Sequence, residues 1–235
     1  IIDKSGVVQP DRACYVDPFP PVDDQLYPTV ALAGSQLVAA WEDRRPKHTI
    51  IMAAVAPRAE PCRFTQPARI SEKPEGRNLP YGTGHGVSRV ALGQFGRDRV
   101  FAAWADKRNF RDGYDIWGAE YGMEKNQFNA NEKVQDDFSD LSKQRYATVD
   151  GLPNGMLVVA WSDEREGNAD VMLSWREAGE WSEDWPIPIA SGEAEQSNPS
   201  IALDRAGNLH LAWIERDSVG GVTRLKYAKG SYLNE

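Results

Sequence analysis

Long hydrophobic runs are missing from this chain. No stretch of 18 or more apolar residues occurs, so no segment is expected to cross a membrane as a helix. Cysteine is scarce. Only Cys14 and Cys62 are present, and neither belongs to a Cys-x-x-Cys or Cys-x-x-Cys-His arrangement, which speaks against structural zinc and against covalently attached haem. Positive charge is in the minority: 27 Lys and Arg stand against 35 Asp and Glu, for a net charge of −8. A nucleic-acid partner is therefore not expected, because neutralising phosphates requires clustered Lys and Arg. The acids are dispersed and read as a soluble surface. They are compatible with a Ca²⁺ site without requiring one, and no other cofactor or metal is expected. The opening Ile1-Ile2-Asp3-Lys4 lacks a charged leader followed by an apolar segment, so no uncleaved signal peptide is expected.

What the chain does have is a phrase repeated four times, an apolar run ending in tryptophan and followed by acid and base. The copies are Leu37-Val38-Ala39-Ala40-Trp41-Glu42-Asp43-Arg44-Arg45, Val100-Phe101-Ala102-Ala103-Trp104-Ala105-Asp106-Lys107-Arg108, Leu157-Val158-Val159-Ala160-Trp161-Ser162-Asp163-Glu164-Arg165 and Leu209-His210-Leu211-Ala212-Trp213-Ile214-Glu215-Arg216-Asp217. A repeat of roughly 40–60 residues built from short strands is the signature of a β-propeller, with one blade per repeat. The 20 glycines and 15 prolines supply the frequent turns such a fold needs.

Each copy sits in a larger unit. An inner strand precedes it (28–32, 88–92, 146–150 and 199–203), then a glycine-bearing turn, then the tryptophan strand. A third strand follows at 49–55, 115–121, 170–175 and 224–228, and an outer one at 64–70, 128–134 and 185–189. The tryptophan strands are apolar almost continuously, which marks strands covered on both faces. The expected fold is therefore all-β: a single domain over 1–235, with four blades of four-stranded antiparallel sheet at about 25–71, 85–135, 144–191 and 196–230. The last blade lacks an outer strand. Gly6-Val7-Val8-Gln9, within a strand at 5–9, is expected to complete it and close the ring, the competing reading being an open array that needs another chain to close it.

In an antiparallel meander the turns alternate between two ends of the sheet. The long connections 9–27, 71–87 and 135–145 fall at the end where the Asp/Arg loops also open. Long loops on one face of a rigid scaffold are where binding resides. The candidate binding residues on that face are Arg77, Tyr81 and His85, from a glycine-rich stretch without the order of a phosphate loop, together with Arg108 and Arg165. The motif residues Trp41, Asp43, Arg45, Trp104, Asp106, Arg108, Trp161, Asp163, Arg165, Trp213 and Glu215 recur in every blade. Recurrence argues for structure over catalysis: tryptophans packing between blades, carboxylates and guanidiniums tying neighbouring blades together by bidentate hydrogen bonds. The fourth copy departs, with Glu215 for aspartate and Asp217 for arginine, which predicts a looser junction. Trp175, Trp181 and Trp185 cluster in blade three and read either as core or as a sugar-binding patch. Cys14 and Cys62 read either as one disulfide in an oxidising compartment or as two separate thiols. A bond needs Cα atoms within about 7 Å, so the amino-terminal segment is expected to run along the outside of blade one.

These repeats resemble those of the sialidase-like, BNR-type propeller superfamily. The likeness lies in the inner strand, glycine, apolar strand ending in Trp-x-Asp-x-Arg, and a third strand opening Asp115-Ile116 or Asp170-Val171, over about residues 25–230. The resemblance implies a propeller. Members often carry an Asp-box, approached here only by Ser174-Trp175-Arg176-Glu177-Ala178-Gly179-Glu180-Trp181. The family's enzymes have six blades, an arginine triad and a Tyr/Glu pair, and these catalytic motifs are not matched. The expected function is thus a non-catalytic binding or assembly module. It would engage a protein or glycan through its long-loop face, as a subunit of a larger secreted or periplasmic complex. A sialidase-like glycoside hydrolase and a Ca²⁺-stabilised structural module are the alternatives.

Overall fold

The computed structural model describes residues 13–46, 48–72, 86–108, 113–136, 141–217 and 221–231. It is all-β, with four antiparallel sheets and no α-helix among the described residues. Sheet 1 holds β1 (Gln25–Ala33), β2 (Gln36–Asp43), β3 (Ile50–Pro57) and β4 (Ala68–Arg69). Sheet 2 holds β5 (Val87–Phe95), β6 (Arg99–Asp106), β7 (Asp115–Gly122), β8 (Gln127–Phe128) and β9 (Glu132–Lys133). Sheet 3 holds β10 (Gln144–Gly151), β11 (Leu157–Asp163), β12 (Asp170–Glu177), β13 (Glu180–Trp181) and β14 (Trp185–Pro186). Sheet 4 holds only β15 (Glu195–Leu203), β16 (Asn208–Arg216) and β17 (Thr223–Ser231).

The three inner strand types fall where the sequence places them. The outer strands are shorter than expected, two residues each, and in sheets 2 and 3 they are broken in two.

The sheets stack in chain order, and the tryptophans form the seams. Trp104 packs with Ala40, Ile51 and Ala53 of sheet 1. Trp161 packs with Phe101, Ala103, Ala105 and Ile116 of sheet 2. Trp213 packs with Val158, Ala160, Val171 and Leu173 of sheet 3. Each indole thus covers the preceding sheet, so the strands β2, β6 and β11 are buried on both faces. This is why they read as unbroken apolar runs. Burying one such indole removes roughly 150–250 Å² from water, at about 25 cal/mol per Å².

Two glycine turns tie neighbours by backbone bonds. Gly34 (φ 56°) donates to the Arg97 carbonyl at 3.1 Å, and Gly96 (φ 61°) to the Leu152 carbonyl at 2.8 Å. Both sit in the left-handed region that glycine adopts without a Cβ clash.

The four inner strands pack side by side in the order β1, β5, β10, β15, and no comparable packing joins β15 to β1. The expected closed ring is therefore not seen. The arc of sheets is open between the last and the first, and the strand expected at 5–9 lies outside the described residues. The face of β16 toward this opening is only half-buried at Ala212 and Ile214, while Leu211 and Trp213 on its other face are buried.

The two cysteines are bonded, Cys14 to Cys62, with Cα atoms 5.6 Å apart. Residues 13–24 run along sheet 1, as the bond requires. Val16 packs beside Trp41, and Asp17 accepts a hydrogen bond from Arg45 at 2.6 Å and one from Gln25 at 3.0 Å.

Candidate functional site

The same irregularity recurs in all four inner strands. Pairing slips between Leu26 and Thr29, Ser88 and Ala91, Arg145 and Thr148, and Ser197 and Ser200. Each slip is a bulge that sets two residues opposite one, and the one is always the tryptophan of the next strand. The first bulge residue takes a left-handed conformation: Tyr27 (φ 51°), Arg89 (φ 51°), Tyr146 (φ 60°) and Asn198 (φ 51°). None is glycine. Such backbone costs about 1–3 kcal/mol per residue and persists where the surroundings impose it. Here the indole opposite and the adjoining sheet do so.

Because the bulge re-aims its side chain, these four residues leave the sheets and meet. With Pro28, Val90, Ala147 and Pro199 they line one pocket of 310 Å³ where the four inner strands converge. Arg89 crosses it. Its guanidinium carbon lies 5.0 Å from the centre of the Tyr27 ring and 4.7 Å from that of Tyr146, and its Nη1 reaches Asn198 Oδ1 at 3.5 Å. The stacking holds the cation in place through the ring quadrupoles. No salt bridge to Arg89 forms among the described residues.

Behind the pocket the strained backbone is held by side chains from the preceding sheet. The Arg89 N–H donates to Glu42 Oε1 at 3.1 Å, and the Asn198 N–H donates to Ser162 Oγ at 3.1 Å. Glu42 is buried, and burial raises its carboxyl above the usual range, opposed by the Arg89 N–H and by the charges of Arg44 and Arg89. No aspartate or glutamate lines the pocket itself.

The Asp–Arg pairs of the repeated motif close within their own loop, where the sequence reading has them tying neighbouring blades together. Indole Nε1 donates to the aspartate two residues on, Trp41 to Asp43 at 3.3 Å, Trp104 to Asp106 at 3.0 Å and Trp161 to Asp163 at 2.8 Å. Arg45 and Arg165 grip their aspartates with Nε and Nη2 together. Burial alone would raise Asp43, but hydrogen bonds from Arg45, Gln25 and Trp41 bring its carboxyl down to about 2.

Arg108 is engaged through Nη2 alone, its Nε buried without a hydrogen-bond partner. Arg108 binds Asp106 and Asn131, and Arg165 binds Asp163 and Asp184. Burial and the facing Asp136 raise Asp184 to about 7, against the pull of Arg165.

In sheet 4 the motif is not formed. Glu215 pairs with Lys226 at 3.3 Å, and Trp213 Nε1 is buried without a hydrogen-bond partner.

The expected binding residues Arg77, Tyr81 and His85 lie outside the described residues. The three tryptophans of sheet 3 do not share a patch. Trp181 meets Phe101 edge-on in the seam with sheet 2, Trp175 packs toward sheet 4, and Trp185 is exposed. The pocket residues Tyr27, Arg89, Tyr146 and Asn198 were not singled out from sequence. The available signal is their constant place, fourteen residues before Trp41 and fifteen before each later tryptophan. Among the described residues no three His, Cys, Asp or Glu side chains gather to hold a metal ion, and no helix is long and apolar enough to cross a membrane.

No protein-family model matches the chain, and no curated protein does. Solved structures of the propeller fold do. A Hadza microbial sialidase superposes with a TM-score of 0.65 at 12% identity, over 89% of this chain and 46% of that one. The Penicillium chrysogenum α-L-arabinanase superposes with 0.61 at 14% identity, over 91% and 65%. The GH93 α-L-arabinofuranosidase of Fusarium graminearum gives 0.59 at 13%, over 91% and 65%. The likeness establishes the fold, and the chain spans from about half to under two thirds of these neighbours' length.

Proposed function

We propose that this chain engages carbohydrate, and that the pocket at the convergence of the inner strands holds a sugar bearing a carboxylate. One observation carries the reading. Four equivalent strained positions, which in a purely structural repeat would hold one residue type, hold Tyr27, Arg89, Tyr146 and Asn198 and aim them at one point. Two phenol rings offer flat apolar surface for a sugar ring. A guanidinium held between them offers bidentate hydrogen bonds to a carboxylate, and an amide completes the polar set. The solved neighbours, a sialidase, an α-L-arabinanase and an α-L-arabinofuranosidase, support glycan as the ligand class.

These neighbours also favour the glycoside-hydrolase alternative over the non-catalytic module. Hydrolysis by paired carboxyl groups needs two of them about 5–10 Å apart. Glu42 is the carboxylate that touches a pocket residue, through the backbone of Arg89. The Ca²⁺-stabilised alternative draws no support from the described acids. The Cys14–Cys62 bond, with the carbohydrate-active neighbours, supports a secreted or periplasmic location.

Titration calorimetry with glucuronic-acid oligosaccharides and their neutral glucose counterparts tests the reading. Binding of the acidic series, with about a tenfold or greater loss in Arg89→Ala, is expected. Equal affinity for both series, or indifference to Arg89→Ala, refutes it. Turnover of chromogenic glycosides that disappears in Glu42→Gln decides for hydrolysis.

A further inference from the structure

Sheet 4 departs from the repeat in a second place. Three residues before each tryptophan stand Val38, Phe101, Val158 and His210. The residue just before each tryptophan pairs with Ala53, Gly118, Leu173 and Tyr227 on the third strand. In sheets 1 to 3 all these residues are buried and carry no polar side-chain atom. In sheet 4 His210 is half-buried and Tyr227 is 63% exposed. They lie on the face turned to the opening of the arc, with Leu225, which is exposed where its register counterparts Ile51, Ile116 and Val171 are buried. Exposure alone accounts for polar residues here. It does not account for their being joined in one hydrogen-bonded chain.

His210 stands opposite Lys229, so Tyr227 is its diagonal neighbour across β16 and β17. Tyr227 Oη lies 2.9 Å from His210 Nδ1, and His210 Nε2 lies 3.4 Å from Asp204 Oδ2. Asp204 sits in the turn between β15 and β16, and that turn fixes it. Its Oδ1 accepts the N–H groups of Ala206 at 2.9 Å and Asn208 at 3.0 Å, and its Oδ2 accepts from Asn208 Nδ2 at 2.7 Å. The bonds from Asn208 above all hold the Asp204 carboxyl well below the usual carboxylate range. It is therefore ionised at neutral pH and only accepts. In the neutral imidazole the proton then sits on Nε2, and Nδ1 is left to accept the Tyr227 O–H. Lys229 Nζ, 3.8 Å from Asp204 Oδ2, adds a cation to the same corner. None of these residues lines the pocket between the inner strands.

We propose that Tyr227 is a nucleophilic phenol that takes an acyl group from an activated ester, with His210 as its general base and Asp204 as the residue that positions the base. The arrangement is that of a nucleophile, its base and the group that orients the base. Tyr227 Oη attacks the ester carbonyl carbon while its proton passes to His210 Nδ1. The tetrahedral adduct then collapses, the bond from carbon to the leaving oxygen breaks, and that oxygen departs with the proton from His210. The products are a tyrosyl ester and the free alcohol or phenol, and nothing is oxidised or reduced.

The probe is p-nitrophenyl acetate, with the acetylated positions mapped by peptide mass spectrometry. Tyr15, at 82% exposed, is the control for exposure alone. In the folded chain Tyr227 should acetylate about tenfold or more faster than Tyr15, and in the urea-unfolded chain the two should react equally. His210→Phe, which installs the residue sheet 2 carries at this place, should bring Tyr227 down to the rate of Tyr15. Asp204→Asn keeps the Oδ1 that caps the turn and removes the carboxylate behind the ring. Imidazole ¹⁵N shifts should report the Nε2–H tautomer of His210 in the parent and a mixture in Asp204→Asn. Equal rates at Tyr227 and Tyr15 in the folded parent overturn the proposal, as does acetylation of Lys229 in place of Tyr227. A folded His210→Phe chain that reacts like the parent overturns the role of the base, and an unchanged tautomer in Asp204→Asn overturns that of Asp204.

Discussion

Rebuilding the failed fourth motif gives the sharpest stability test. In sheets 1 to 3 the aspartate accepts the indole N–H and is gripped by an arginine four residues after the tryptophan. In sheet 4 Glu215 turns to Lys226, Asp217 to Arg224, and Trp213 Nε1 is left buried and unpaired. Glu215→Asp shortens the side chain by one methylene and places its carboxylate where the other three stand. Asp217→Arg supplies the guanidinium that keeps the carboxylate charged.

An unsatisfied buried donor costs about 1–3 kcal/mol. The two ion pairs lost, with Lys226 and Arg224, are partly exposed and contribute about 0–1 kcal/mol each. The double variant should therefore gain about 1 kcal/mol, or about 2–4 °C in melting temperature for a domain of this size. Urea unfolding should show a higher midpoint with an unchanged slope.

A companion pair removes the indole N–H. Trp213→Phe should cost about 1–2 kcal/mol less than Trp161→Phe, because only Trp161 loses a hydrogen bond. If the double variant is no more stable than the parent, and the two Trp→Phe variants cost the same, the role assigned to the Trp–Asp bond is wrong.

Other outcomes follow from the same geometry. Asp184, raised in the folded state to about 7 from an unfolded value near 3.8, binds more protons folded than unfolded between those pH values. Stability should therefore fall as pH rises from about 4 to about 7, and Asp184→Asn should flatten that slope in a series of thermal melts. Gly93→Ala should destabilise by about 1–3 kcal/mol, because a Cβ there would stand 2.7 Å from the Val149 carbonyl oxygen across the seam between sheets 2 and 3; a neutral result in urea unfolding would place the sheets further apart. Cys14→Ser, which opens a loop of sequence separation 48, should cost about 2–4 kcal/mol, and reduction of the parent should reproduce the loss.

The strand order and the tryptophan seams were legible in the chain because each depends on local pattern, whereas the Asp/Arg pairs close within one loop and not, as the sequence suggests, between blades. A strand covered twice must be apolar throughout, as Val100 to Ala105 are, and a turn that bonds a neighbour needs Gly34 or Gly96. The defect at Glu215 and Asp217 was legible for the same reason, since a repeat exposes its own exceptions. Even the Cys14–Cys62 pairing was within reach, as the sole pair available.

The pocket was not legible. No glycine marks Tyr27, Arg89, Tyr146 or Asn198 as left-handed, because their conformation is imposed by a tryptophan on the next strand and by the sheet beyond it. Nor could the sequence tell that these residues, drawn from four separate repeats, share one point in space. The open seam lay equally beyond it: Leu225 satisfies the same apolar pattern as Ile51, Ile116 and Val171, and only the stacking of whole sheets distinguishes the one left in water. Local chemistry wrote the sheets, while the meeting of surfaces distant along the chain decided where the pocket lies and which apolar residues stay exposed.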